Sequence, residues 1–235
     1  MKIISAENGK KLNIEEKETY RYLGYHFGGE VPADDELKKL INELTDKLKD
    51  VITPRCAYEL YRLEVKDNVC RLFTFDPGQV SKDAEQRTDT VLSIHSRKLS
   101  AHIKECRYAV LLAATVGPGA DMLIRRYSGR STIKPAILQA AGAAAIEAFA
   151  DEVTEVIRKE LSSCIGFSSN STESSDYPEP VKFKMRFSPG YGDFSLEHQK
   201  DFFELLKPEK NLGMSLNSAL LMSPSKSITA IIGVI

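Results

Sequence analysis

The sequence predicts an α+β fold. Two observations predict it: stretches with helical spacing share one 235-residue chain with stretches of period two, and the two kinds do not alternate as regular βαβ units. A third is the continuous apolar run 108–116, the pattern of a buried strand, closed by the turn Gly117-Pro118-Gly119.

The elements follow in order. A first helix is expected over 14–25, ending at Gly28-Gly29. Asp34 is a good N-cap for the next one, with acidic residues in its first turn. There Leu37, Leu40, Ile41, Leu44, Leu48 and Val51 recur at three- and four-residue spacing, and Pro54 stops the helix. Residues 55–75 read as a β-hairpin: Cys56, Tyr58 and Leu60 alternate with other neighbours, and Lys66-Asp67-Asn68 supplies the turn. Segment 92–105 reads as helix. A long helix is predicted over 132–161, its alanine-dense centre at 140–150 suited to close packing by a neighbouring element. The serine-rich stretch 162–180 reads as a surface loop or a mobile connection, not a core element. Val181, Phe183, Met185 and Phe187 alternate with Lys182, Lys184 and Arg186, predicting a strand with one apolar face. Ser195 caps a helix carrying Leu196, Phe202, Phe203 and Leu206, and strand-like runs at 219–222 and 228–235 end the chain. No internal repeat is visible.

Composition excludes several classes. A chain of this length buries about 70–75% of its unfolded surface, consistent with 42% hydrophobic residues. With 32 basic and 33 acidic side chains, the net charge of −1 lacks the basic excess of a nucleic-acid binder. No run approaches the roughly 20 continuous apolar residues that span a bilayer, and the first residues lack the apolar core of a secretory signal. Cys56, Cys70, Cys106 and Cys164 form no C-x-x-C pair, so buried, reduced thiols in a cytoplasmic protein are expected. Gly117-Pro118-Gly119 is not a dinucleotide fingerprint.

The segment richest in chemistry is Arg186-Phe187-Ser188-Pro189-Gly190-Tyr191. An arginine ends the predicted strand and can grip a carboxylate through two charged hydrogen bonds. Glycine lets the backbone approach a ligand closely, and a tyrosine ring beside it suits a sulfonium cation. The spacing alone leaves two readings open, a ligand grip or an ordinary solvated strand arginine followed by a common Pro-Gly turn.

Arg-x-x-x-Gly-Tyr, followed by Glu204-Leu205-Leu206, Gly213-Met214-Ser215-Leu216 and Ala219-Leu220-Leu221-Met222-Ser223-Pro224, resembles the activation domain of cobalamin (vitamin B12)-dependent methionine synthase. Upstream, Glu147-Ala148-Phe149-Ala150 and Arg158-Lys159 resemble the long helix that precedes its signature loop. The resemblance spans a single domain, 1–235, and is stronger over 131–235 than over 1–130.

It implies a central antiparallel sheet flanked by helices and an S-adenosylmethionine (AdoMet) site in a shallow groove. It also implies reductive remethylation: after a flavoprotein electron returns oxidised cobalt(II) to cobalt(I), AdoMet methylates the cobalt. Cobalamin itself would be bound by a partner, the cobalamin-binding domain of a methionine synthase or a related corrinoid protein. The module would contribute orientation and proximity, with no catalytic base, no metal ligand and no independent turnover. By position, Arg186 would hold the AdoMet carboxylate, the Ser188 and Gly190 backbones would line the ligand, and Tyr191 would flank it. Glu147 would bond its polar groups, or is a solvated helix glutamate.

This chain departs from the full-length enzyme's domain in lacking its early Asp-Trp-Thr-Pro stretch; the chain contains no tryptophan. It resembles stand-alone versions, whose start is similar to Tyr20-Arg21-Tyr22-Leu23-Gly24-Tyr25, acting in trans. The alternative is a corrinoid-protein docking or assembly module that no longer binds AdoMet. His26, His95, His102 and His198 receive no role; His95 and His102 fall seven residues apart on the expected helix.

Overall fold

The computed structural model describes residues 1–5, 12–25, 35–75, 90–163 and 181–235. The elements run β1 (Lys2–Ser5), α1 (Glu16–Tyr22), α2 (Asp35–Val51), β2 (Arg55–Lys66), β3 (Val69–Thr74), β4 (Thr90–His95), α3 (Arg97–Ile103) and β5 (Tyr108–Thr115). There follow α4 (Gly119–Tyr127), α5 (Ile133–Ser163), α6 (Gln199–Leu206), α7 (Pro208–Leu212), β6 (Ser215–Leu216), β7 (Met222–Ser223) and β8 (Ser227–Val234). The expected Asp34 cap, the Gly28-Gly29 helix end, His26, Cys164 and most of the serine-rich stretch lie outside the described residues.

The antiparallel sheet has the order β4-β3-β2-β5-β8, with β1 also on β2. The length of β2 makes this possible. Its first part pairs with β1 and its second with β3, while β5 runs along the opposite edge.

Both faces of the sheet are covered, and the side-chain period of two divides the core in half. Val110, Leu112 and Ala114 of β5 meet Leu44, Leu48, Ala141, Ala145 and Phe149 of α2 and α5. Their neighbours Ala109, Leu111 and Ala113 meet Leu99, Phe202 and Leu212 of α3, α6 and α7. That explains why β5 reads as a continuous apolar run. By length and composition alone α5 could cross a membrane, but its apolar stretch is largely a core element: Ala140, Ala141, Ala144, Ala145 and Ala150 are buried. Lys2 and Tyr58 both donate to Glu160, tying the end of α5 to the sheet.

Four expectations need correction. Segment 92–105 is not one helix. Leu92 and Ile94 point inward with Val91 and Ser93 outward, as in a strand, and Ser96 then caps the short α3 through Leu99 N (3.0 Å). His95 and His102 therefore lie on different elements. The first helix is shorter than expected. The run 219–222 is mostly a turn, in which Asn217 Oδ1 accepts from the Ala219 and Leu221 amides (2.9 Å each) and Leu220 takes a positive φ of 60°.

The largest difference is at 181–187. The segment lies beside β8 but bridges it only at Phe183↔Val234 and Phe187↔Ile231. Between these contacts Met185 is 81% exposed, while Arg186 turns toward α5. The apolar alternation is thus broken where the arginine is used.

Candidate functional site

From its middle onward α5 carries Glu147, Asp151, Thr154, Glu155 and Arg158 along one side. Spacings of three and four residues align side chains on a helix face, so these groups form one wall of a cleft. Residues 183–188 and Tyr191 form the other, enclosing about 690 Å³. That volume lies in the usual range for a small-molecule site.

Arg186 bridges the two walls. Its Nη2 donates to Glu147 Oε2 at 2.8 Å and its Nη1 to Asp151 Oδ1 at 2.6 Å, with Thr154 Oγ1 at 3.4 Å from Nη1. The guanidinium is largely buried, at 18% side-chain exposure, whereas Asp151 is 73% exposed. Beside it, Arg158 lies over the Phe183 ring at 5.3 Å and pairs with Glu155 at 2.7 Å. A cation held among carboxylates in an open cleft suits a zwitterionic or mixed-charge ligand better than a simple anion.

The glycine loop after Arg186 closes on itself. Gly190 N–H donates to Phe194 C=O at 2.8 Å, Tyr191 N–H to Ser188 C=O at 3.1 Å, and Phe194 N–H to Tyr191 C=O at 3.0 Å. Gly190 and Gly192 both have positive φ, 95° and 60°, which glycine adopts without steric cost. Phe194 is buried in the core beneath. Asp193 accepts from Ser96 Oγ (2.7 Å), Arg97 N (2.9 Å) and Lys98 N (3.1 Å) at the start of α3. These bonds, led by that from Ser96, lower the Asp193 pKa.

The residues named from sequence meet here in part. Arg186, Glu147, Ser188 and Tyr191 all line the cleft; Gly190 shapes the loop without lining it. Its N–H and the Ser188 carbonyl already serve the turn. Tyr191 is 71% exposed and meets Phe187 edge-on, centroids 6.3 Å apart. Sequence reasoning missed Asp151, Thr154 and Arg158 as part of the wall. Their spacing from Glu147 was the available signal.

The profile of the family described as "Vitamin B12 dependent methionine synthase, activation domain" matches residues 38–234. The chain belongs to that activation-domain family. Among solved structures, the MetH reactivation domain bound to AdoHcy resembles it with a TM-score of 0.70 and 18% identity, covering 99% of this chain and 78% of that one. At that identity the likeness is one of fold: a central antiparallel sheet with helices on both faces. The activation-domain match runs from within α2 to the end of β8, and so includes both walls of the cleft.

Proposed function

We propose that this activation domain binds AdoMet in the α5 cleft and supports reductive remethylation of cob(II)alamin on a separate B12-dependent methionine synthase or related corrinoid protein. The observation that carries the reading is Arg186, a largely buried guanidinium bridging the walls of a ligand-sized cleft. The AdoHcy carried by the structurally similar MetH domain points to the same ligand class.

In this reading Arg186 holds the ligand carboxylate, Glu147 accepts from its amino or hydroxyl groups, and Tyr191 flanks the sulfonium. Ser188 and the Gly190 turn set the distance of the backbone from the ligand. A partner's corrinoid, reduced by a flavoprotein donor, would supply the nucleophile and take the methyl group, leaving AdoHcy in the cleft. The chain's own task is to hold the methyl donor oriented toward that partner, which requires no general base.

The existing Arg186 ion pairs favour a second reading, a docking module without AdoMet. Magnitudes favour the first. The acidic partners are the exposed side of these pairs, Glu147 at 45% and Asp151 at 73%, so a ligand carboxylate that displaces Asp151 from the guanidinium returns it to water.

Calorimetric titration with AdoMet, beside an Arg186→Ala variant, tests the proposal. The expected result is saturable binding that weakens at least tenfold, about 1.4 kcal/mol, in the variant. A wild-type protein that takes up no AdoMet overturns it in favour of the docking module.

A further inference from the structure

The signature loop is gripped from outside the cleft by one short helix. Asp193, at the loop's far end, accepts three hydrogen bonds from Ser96, Arg97 and Lys98 at the start of α3. At the near end, His102 in the last turn of α3 contacts the Met185 carbonyl through Nε2 at 2.9 Å. A carbonyl only accepts, so that nitrogen carries the proton. The His102 ring also lies against Phe187 at 5.6 Å. Gly192 passes so close to Lys98 that a Cβ there would come within 2.5 Å of Lys98 Cδ.

The helix itself is firmly seated. Leu99 and Ile103 are fully buried in the sheet's second core, and Ser100 Oγ lies 3.2 Å from Cys70 Sγ on β3. It is also already capped, since Ser96 Oγ accepts from Leu99 N. The amides of Arg97 and Lys98 sit on exposed residues, where water could satisfy them. What the Asp193 carboxylate adds is therefore the position of the loop.

We propose that α3 is a splint for the signature loop, and that Asp193 and His102 are positioning residues that fix where Arg186, Ser188 and Tyr191 stand. Neither lines the cleft. Each acts through the backbone it holds, Asp193 at the end of the 188–194 turn and His102 at the residue before Arg186. The inference rests on the proposed AdoMet site for its functional consequence and on the hydrogen bonds alone for its structural one.

Amide hydrogen exchange and AdoMet calorimetry on the whole chain test both parts, using Asp193→Ala, His102→Ala and His102→Gln. In Asp193→Ala, exchange at Gly190, Tyr191 and Phe194 is expected to rise at least tenfold while β5 and β8 stay protected. AdoMet affinity is expected to fall at least fivefold. His102→Ala should act likewise on Lys184 and Phe187, whose amides donate to Gly233 and Ile231. His102→Gln keeps an N–H donor for the Met185 carbonyl and should restore protection and affinity.

Loop exchange unchanged in Asp193→Ala overturns the splint, as does equal loss in both His102 variants. Should Asp193→Ala unfold the whole protein, the His102 pair decides alone: rescue by glutamine upholds the proposal, and its failure overturns it. A wild type that ignores AdoMet refutes the functional reading of the cleft, and the exchange data then judge the splint by themselves.

Discussion

Replacing Asp151 with asparagine should tighten AdoMet binding, although the residue stands in the proposed site. Asp151 holds Arg186 Nη1 at 2.6 Å, a position that the carboxylate of AdoMet would take over in the proposed site. The carboxylate is 73% exposed and the guanidinium 18%, so a surface ion pair, worth about 0.2–1 kcal/mol, sets the scale for the half that faces water. Removing the competing charge, while the asparagine Oδ1 remains a weaker acceptor, returns up to that energy to the ligand, a gain of about 1.4- to 5-fold at about 1.4 kcal/mol per tenfold. Calorimetry at low and high salt measures it. The gain should shrink as salt rises, because the Debye length falls from about 10 Å at 0.1 M to about 3 Å at 1 M. Glu147 stays in place, so Arg186 remains oriented. A tenfold loss of affinity in Asp151→Asn would refute the reasoning, since it would make Asp151 a ligand contact and not a competitor.

Other outcomes follow from the packing. Phe194→Ala, at a ring 1% exposed beneath the glycine turn, should cost about 3–5 kcal/mol, read from the denaturant midpoint. Gly119→Ala should destabilise by about 1–3 kcal/mol or more, because its Cβ would fall 2.0 Å from the Val51 carbonyl oxygen; an unchanged thermal midpoint would contradict this. Burial pushes the Cys56 thiol up to about 12 and Cys106 to about 11. The unfolded chain loses these protons first, so stability should decline as pH rises past about 9 toward these values, visible in midpoints measured across that range. Thiol reagents at pH 8 should label Cys56, Cys70 and Cys106 only after denaturation.

The sequence made the deep elements legible because burial leaves a periodic trace. The face of α2, the apolar run of β5 and the alanines of α5 each report packing against one layer, and each stands where the pattern placed it. It misled where a short strand meets a short helix. Thr90–His95 has only Leu92 and Ile94 inward, too few to establish a period before Ser96 starts α3. At 181–187 the alternation was genuine in composition, but the backbone bridges β8 at only two positions, and Met185 and Arg186 exchange their expected environments. In the cleft, Arg186 and Tyr191 stood out because a motif surrounds them. Asp151 and Asp193 did not, since an acidic residue on a helix or in a loop looks the same in sequence whether it meets water, a guanidinium or a helix start.

Helix α5 is 31 residues long, roughly 46 Å at 1.5 Å per residue. One side of it is buried in the core from Ile137 to Leu161, and from Glu147 onward the other side presents Glu147, Asp151 and Thr154 to the cleft. The site is thus a vice with one fixed jaw: the acidic wall cannot shift without dragging the core with it. The opposite jaw, 183–191, touches the sheet at two bridges and leans on α3. Adjustment to a different ligand or partner belongs to that jaw, and substitutions there can change what is held without refolding what holds it.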